Sequence, residues 1–153
     1  MCKEELQKMI QSIVSQAKEL KDKHIVGDDS AVNYSAVFSQ SDNEYKKLLG
    51  AIKEIGEIIL ETKTGPLFKI DPLDTVAGDL KLVKIRKPDK SRSERGDADF
   101  TVSNYDEFKK EFLSKKGFKL IKRDNFEMIE LMESGFNVRV YFSNPPLDVQ
   151  LKV

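Results

Sequence analysis

The chain has 153 residues, of which 34% are charged and 39% hydrophobic, and its 26 basic and 26 acidic side chains leave no net charge. That balance is expected of a water-soluble globular domain, or of two half-domains sharing a core, and it argues against a general nucleic-acid binder, which carries excess positive charge. No apolar run approaches the roughly 20 residues that span a bilayer, and the single cysteine, Cys2, excludes an internal disulfide or a thiolate metal cage and points to a reducing, cytoplasmic setting.

The first expected element is a helix over residues 3–23. Leu6, Ile10, Ile13, Ala17 and Leu20 recur at spacings of four and three and form one apolar stripe. Glu4 and Glu5 open it, unlike a secretory leader. The stripe suits packing on the chain's own sheet. A homodimer through residues 3–23 is the sharper alternative, because the stripe repeats like a short coiled-coil seam. Gly27-Asp28-Asp29-Ser30 then breaks the chain.

From Val32, V-N-Y-S-A-V-F alternates as a half-buried strand does. Ser41, with Glu44 three residues on, is a capping box for a helix carrying Tyr45, Leu48, Leu49, Ile52 and Ile55 and ending near Gly56. Ile58-Ile59-Leu60 starts a strand, Thr64-Gly65-Pro66 turns, and Leu67–Ile70 returns. Residues 71–79 read as a loop. Leu80–Ile85 is a further strand, stopped by Pro88 because proline cannot donate to a ladder.

The same order then recurs. Ala98–Val102 is a strand. Ser103 is the expected cap of a helix running to about Lys116 and closed by Gly117. Phe118–Lys122 and Phe126–Met132 flank an Asp124-Asn125 turn, and Asn137–Phe142 is the last strand before Pro145-Pro146. Glu44-Tyr45-Lys46-Lys47 in the first copy matches Glu107-Phe108-Lys109-Lys110 in the second. The predicted organisation is an N-terminal helix over 1–27, one βαβββ unit over 32–88 and a second over 96–146. The fold class is α+β: two tandem βαβββ units forming a mixed, curved sheet in one compact domain.

Residues 102–120, V-S-N-Y-D-E-F-K-K-E-F-L-S-K-K-G-F-K-L, carry the strand, helix, Gly-Phe and hairpin order most clearly. Across 32–143 the chain resembles the vicinal oxygen chelate superfamily, which includes glyoxalase I, bleomycin-resistance proteins and extradiol dioxygenases. Paired ferredoxin-like units are the competing architecture. The resemblance implies metal ligands, His and Glu, on facing strands. This sequence departs from that pattern: its one histidine, His24, precedes the first strand. No metal and no cofactor is therefore expected, and an oxygen-only site for Mg²⁺ or Ca²⁺ is the remaining metal option. Phosphate-binding glycine loops and nucleophile elbows are absent.

The unusual segment is residues 84–99, K-I-R-K-P-D-K-S-R-S-E-R-G-D-A-D. Three of the chain's five arginines, Arg86, Arg92 and Arg95, fall here. Arginine holds carboxylates and phosphates with a planar fork that lysine lacks. Asp97 and Asp99 follow at spacing two, which puts both carboxylates on one face of a strand. A charge-rich linker between half-domains is ordinarily just solvated, with surface pairs of little energy. Against that stands a site at the seam of the two units, binding through Arg86, Lys87, Arg92, Arg95, Asp97 and Asp99.

Three readings follow. One is a binding protein for a small anionic molecule held by Arg86, Lys87, Arg92 and Arg95. Another is a vicinal-oxygen-chelate-type enzyme with an oxygen-ligand metal at Asp97, Asp99 and a strand glutamate; Glu127 and Glu130, which alternate with apolar residues, offer a general base if one lines a cleft and otherwise an exposed strand face. The last is a dimerising interaction module.

Overall fold

The apolar stripe of the first helix is consumed within the chain. In the computed structural model, which describes residues 1–153, α1 spans Lys3–His24, and Leu6, Ile10, Ile13, Val14, Ala17 and Leu20 are all fully buried. The helix lies across the middle strands of the sheet. The stripe thus takes the first of the two roles expected of it, packing on the chain's own sheet. Glu4 and Glu5 in the first turn, and Lys21, Lys23 and His24 in the last, match the helix dipole. Lys21 is also fully buried. Its ammonium donates to the Asp22 carboxylate, the Asp28 carboxylate and the Asp28 carbonyl, each at 3.0 Å, so its three protons are all placed.

The remaining elements are β1 (Ala31–Phe38), α2 (Asp42–Ile52), β2 (Gly56–Thr62), β3 (Gly65–Leu73), β4 (Leu80–Arg86), β5 (Gly96–Thr101), α3 (Tyr105–Phe112), β6 (Phe118–Lys122), β7 (Glu127–Leu131), β8 (Val138–Asn144) and α4 (Leu147–Leu151). Ser41 caps α2 as expected: its hydroxyl accepts from the Glu44 N–H at 3.1 Å, and Glu44 reaches back to the Gln40 N–H at 2.8 Å. The helix stops at Ile52, short of Gly56. Tight turns at Glu54 and Ile55 follow, so that Ile55 reaches the core and Gly56 opens β2 against Lys69 and Ile70.

In the second unit the cap is Asn104 rather than Ser103, its side-chain oxygen accepting from the Glu107 N–H at 3.2 Å. That helix ends at Phe112, not Lys116. β3 runs on through Asp71 and Pro72 to Leu73, where a loop was expected.

All eight strands form one sheet in the order β2-β3-β4-β1-β5-β8-β7-β6. Within each unit the first and last strands pair parallel, β1 with β4 and β5 with β8. The units join by antiparallel pairing of β1 with β5, so a pseudo-twofold passes between those strands. One face is apolar and covered by the helices; Val37, Val83, Ile85, Ala98, Phe100, Val140 and Phe142 belong to the core there. No helix of the chain is long and apolar enough to cross a membrane.

Candidate binding site on the concave face of the sheet

The second face of the central strands is polar. Strand alternation carries Tyr34 from β1, Lys84 and Arg86 from β4, Asp97 and Asp99 from β5, and Tyr141 and Ser143 from β8 into one cleft. The sheet curls so that Leu60 of β2 and Met128 of β7 line the same space, a cavity of about 340 Å³. That is at the small end of ligand-binding cavities, roughly 300–1,000 Å³. A more open groove of about 870 Å³ lies beside β2, β3 and α4. Its Glu54, Lys69, Asp71 and Lys81 are exposed, so water already satisfies them.

Asp97 and Asp99 are 7% and 4% exposed. The Asp97 Oδ1 accepts from the Ala36 N–H at 3.1 Å. Asp99 Oδ1 accepts from the Ser143 N–H at 3.2 Å, and the Ser143 hydroxyl donates to Asp99 Oδ2. Burial pushes the Asp97 carboxyl up to about 7; the neighbouring Asp99 adds to the rise, while Arg92, Lys84 and Arg86 oppose it. Burial raises Asp99 to about 6, and the Ser143 hydrogen bonds hold it back. Tyr34 is held well above its ordinary range by burial and by the two carboxylates.

The cations crowd the other side of Asp97. The Lys84 ammonium donates to Thr64 Oγ1 at 2.7 Å, and burial, with Arg86 close by, lowers its pKa. Arg86 is lowered for the same reason, with Arg92 contributing. Its Nε is buried and has no hydrogen-bond partner, and its nearest carboxylate, Asp89, stands at 3.7 Å. Arg92 donates to the Tyr141 hydroxyl across a long 3.4 Å. Arg92 Nε also stands 4.0 Å from Asp89, and both guanidinium groups rest over the Phe38 ring, 5.8 Å and 5.5 Å from its centroid, a cation–π arrangement that leaves part of their N–H set for an anion. Tyr141 in turn donates to Glu130 at 2.7 Å, and burial, together with Asp97 and that bond, lifts it to about 12.

Four of the six residues singled out in the sequence, Arg86, Arg92, Asp97 and Asp99, meet in this cleft. Lys87 does not; it lies one residue beyond β4 and is exposed. Arg95 turns to the helix side, where it grips Glu44 with bonds of 2.8 and 3.0 Å and also reaches the Phe38 carbonyl at 3.3 Å. It ties α2 to the sheet. Lys84, Tyr34, Tyr141 and Ser143 were not singled out. The alternation in L-K-L-V-K-I-R would have paired Lys84 with Arg86, and V-R-V-Y-F-S would have grouped Tyr141 with Ser143.

The donor set does not fit a metal. No group of three or more His, Cys, Asp or Glu side chains converges anywhere in the chain. Glu130 is taken by Tyr141 and by Arg139, 3.5 Å away, and Glu127 by Tyr105 and Lys109, both at 2.8 Å. His24 bonds Glu133 at 2.8 Å. The metal site sketched at Asp97, Asp99 and a glutamate is therefore not assembled.

No protein-family model matches the sequence, and a search of curated proteins found no match. Several solved structures are similar. A structural-genomics protein, EC4020, aligns over 94% of this chain and 90% of its own at 14% identity, with a TM-score of 0.67. A glyoxalase/bleomycin resistance protein/dioxygenase superfamily member from Vibrio splendidus 12B01 aligns over 72% of this chain and 95% of its own at 7% identity, TM-score 0.44. Methylmalonyl-CoA epimerase from Mycobacterium tuberculosis aligns over 78% and 91% at 10% identity, TM-score 0.45. Two βαβββ units joined through their first strands are the arrangement expected from the sequence, and the likeness to EC4020 extends over nearly the whole of it. Fold alone does not carry an activity.

Proposed function

We propose that the protein binds a small anionic molecule in the concave cleft, with Arg86, Arg92 and Lys84 as the grip. The observation that carries this reading is the convergence of Lys84, Arg86 and Arg92 on one cavity, where the two guanidinium groups have only loose ion pairs with Asp89, at 3.7 and 4.0 Å. Three crowded cations without a close counter-charge are costly, and an oxyanion supplies one with charge-assisted hydrogen bonds. Asp97 and Asp99 only partly cancel the cations below about pH 6, because burial holds protons on Asp97 up to about 7 and on Asp99 up to about 6. As neutral acids they become hydrogen-bond donors to the same ligand.

Inorganic phosphate, titrated at low ionic strength and pH 6, should raise the melting temperature, since a ligand that binds only the folded state stabilises it. In the double variant Arg86→Gln, Arg92→Gln the apparent affinity should fall at least a hundredfold, each charge-assisted bond contributing about 1.5–3 kcal/mol. An unchanged melting shift in that variant would reject the reading.

A second reading is a proton-transfer enzyme using the same cleft, favoured by a carboxyl held at about 7 beside Lys84, Arg86 and Arg92. Exchange of solvent deuterium into a C–H next to the carboxylate of a bound acid, lost in Asp97→Asn while binding persists, is its expected sign. Exchange that continues in Asp97→Asn would dismiss it.

A further inference from the structure

The chemistry of the cleft changes from one end to the other. Arg86 pairs with Phe38 at the finish of β1, and Gly96 at the start of β5 pairs with Val37. Arg86 and Arg92 therefore stand at the start of β5. Moving along β5, Asp97 is level with Arg139 and Asp99 with Tyr141. Further on, Met128 is level with Ser143, where β8 nears its end at Asn144. Phe126 precedes β7 there, and Leu147 of α4 arrives at the same end; both line the cavity. The order along the slot is cations, with Leu60 and Leu67 level with Lys84, then two carboxyls, then a lining of Met128, Phe126 and Leu147.

We infer that the ligand is an amphipathic oxyanion, a carboxylate or phosphate monoester on a short apolar chain. Its head sits on Arg86, Arg92 and Lys84, and its tail lies against Met128, Phe126 and Leu147. This rests on the binding reading above and deepens it. An inorganic ion would engage only the cationic end of the slot and leave the apolar end wet. A wholly apolar guest would leave Lys84, Arg86 and Arg92 without a counter-charge. Arg123 also borders the apolar end; it is exposed, and one of its N–H groups donates to the Lys122 carbonyl at 3.2 Å. α4 has no buried residue of its own, so Leu147 is held over the slot by light contacts, chiefly the Asp148 N–H bonded to Asn33 at 3.3 Å.

The test is a pair of homologous series, n-alkyl carboxylates from propanoate to octanoate and monoalkyl phosphates of the same lengths, measured by calorimetry. Each added methylene should tighten binding roughly fourfold in at least one series. Leu147→Asn should flatten that dependence to less than twofold per methylene; because Leu147 lies on a helix with no buried residue, the core is not disturbed. Met128→Asn should act in the same direction. Arg86→Gln should instead weaken all members by one common factor and keep the slope. Short and long anions binding equally would overturn the tail assignment and leave the anion site standing. A slope unmoved by Leu147→Asn and Met128→Asn would place the tail elsewhere and overturn it too. No binding by any member of either series, nor by inorganic phosphate, would overturn both readings.

Discussion

Asp97→Asn is expected to stabilise the protein above neutral pH by as much as about 4 kcal/mol, and to change little near pH 3. The carboxyl titrates near 3.8 when exposed and at about 7 when folded. A shift of one unit corresponds to about 1.4 kcal/mol. A folded-state pKa raised above the unfolded value means that the native state holds its proton more tightly. The contribution to stability is therefore fully present below about pH 4 and is lost as pH rises through 7. Asp99 adds a smaller loss as pH rises through about 6. Asparagine keeps the acceptor for the Ala36 N–H and never ionises.

The wild type should thus lose stability steadily from pH 4 to pH 8, whereas the variant's curve should be flatter. For a chain of this size a melting point responds by roughly 2–4 °C per kcal/mol, so a difference near 10 °C at pH 8 is the measurement. Parallel curves for the two proteins across that range would refute the burial argument. The same geometry makes anion binding weaken as pH rises through 7. Ionised Asp97 then competes with the ligand for Lys84, Arg86 and Arg92 on β4 and its following loop. Tyr34 on β1, Asp99 on its own strand, and Arg139 and Tyr141 on β8 are its other titratable neighbours.

Gly96→Ala should cost about 3 kcal/mol or more, although it adds a single methyl group. Gly96 begins β5 where β5 pairs with β1. A Cβ there would collide with the carbonyl oxygen of Ala36 and lie 2.8 Å from Ile13 Cδ1 of α1. The oxygen belongs to the neighbouring strand's backbone, so it cannot turn aside as a side chain would. Relief requires widening the central seam or lifting α1, and both expose core. Gly50→Ala is the matched control. Gly50 lies within α2 with nothing within 4 Å of its added methyl, so alanine should stabilise by up to about 1 kcal/mol. Urea unfolding of both variants decides the matter; a Gly96→Ala protein within about 0.5 kcal/mol of wild type would contradict the seam as described.

How far the residues alone reach depends on what each signal encodes. The α1 stripe and the doubled βαβββ order were readable because periodicity reports which side of an element is buried. Helix ends were less readable. Ser103 and Asn104 both have capping side chains, and only the backbone decides that Asn104 accepts the Glu107 N–H. α4 left no trace, since five residues with no buried side chain have no period to detect.

In the site, Asp97 and Asp99 were legible from spacing because they sit inside a strand. Arg95 was not: it lies just before β5, where alternation does not yet fix a side, and Glu44 from a helix 51 residues away claims it. Lys84, Tyr34 and Tyr141 were hidden because one residue every second place on a strand looks the same whether the face is solvent or a cleft.

The pseudo-twofold between β1 and β5 has one last implication. That axis exchanges the two ends of the concave slot, so identical halves would present the same chemistry at both mouths and accept a guest either way round. Here the strand pairs Ala36–Lys84 and Asp99–Tyr141 occupy matching places, and a lysine in one half faces the role of a tyrosine in the other. Divergence between the copies therefore gives the slot a sense of direction: a head-and-tail molecule enters it in a single orientation, which two unaltered copies of either half could not enforce.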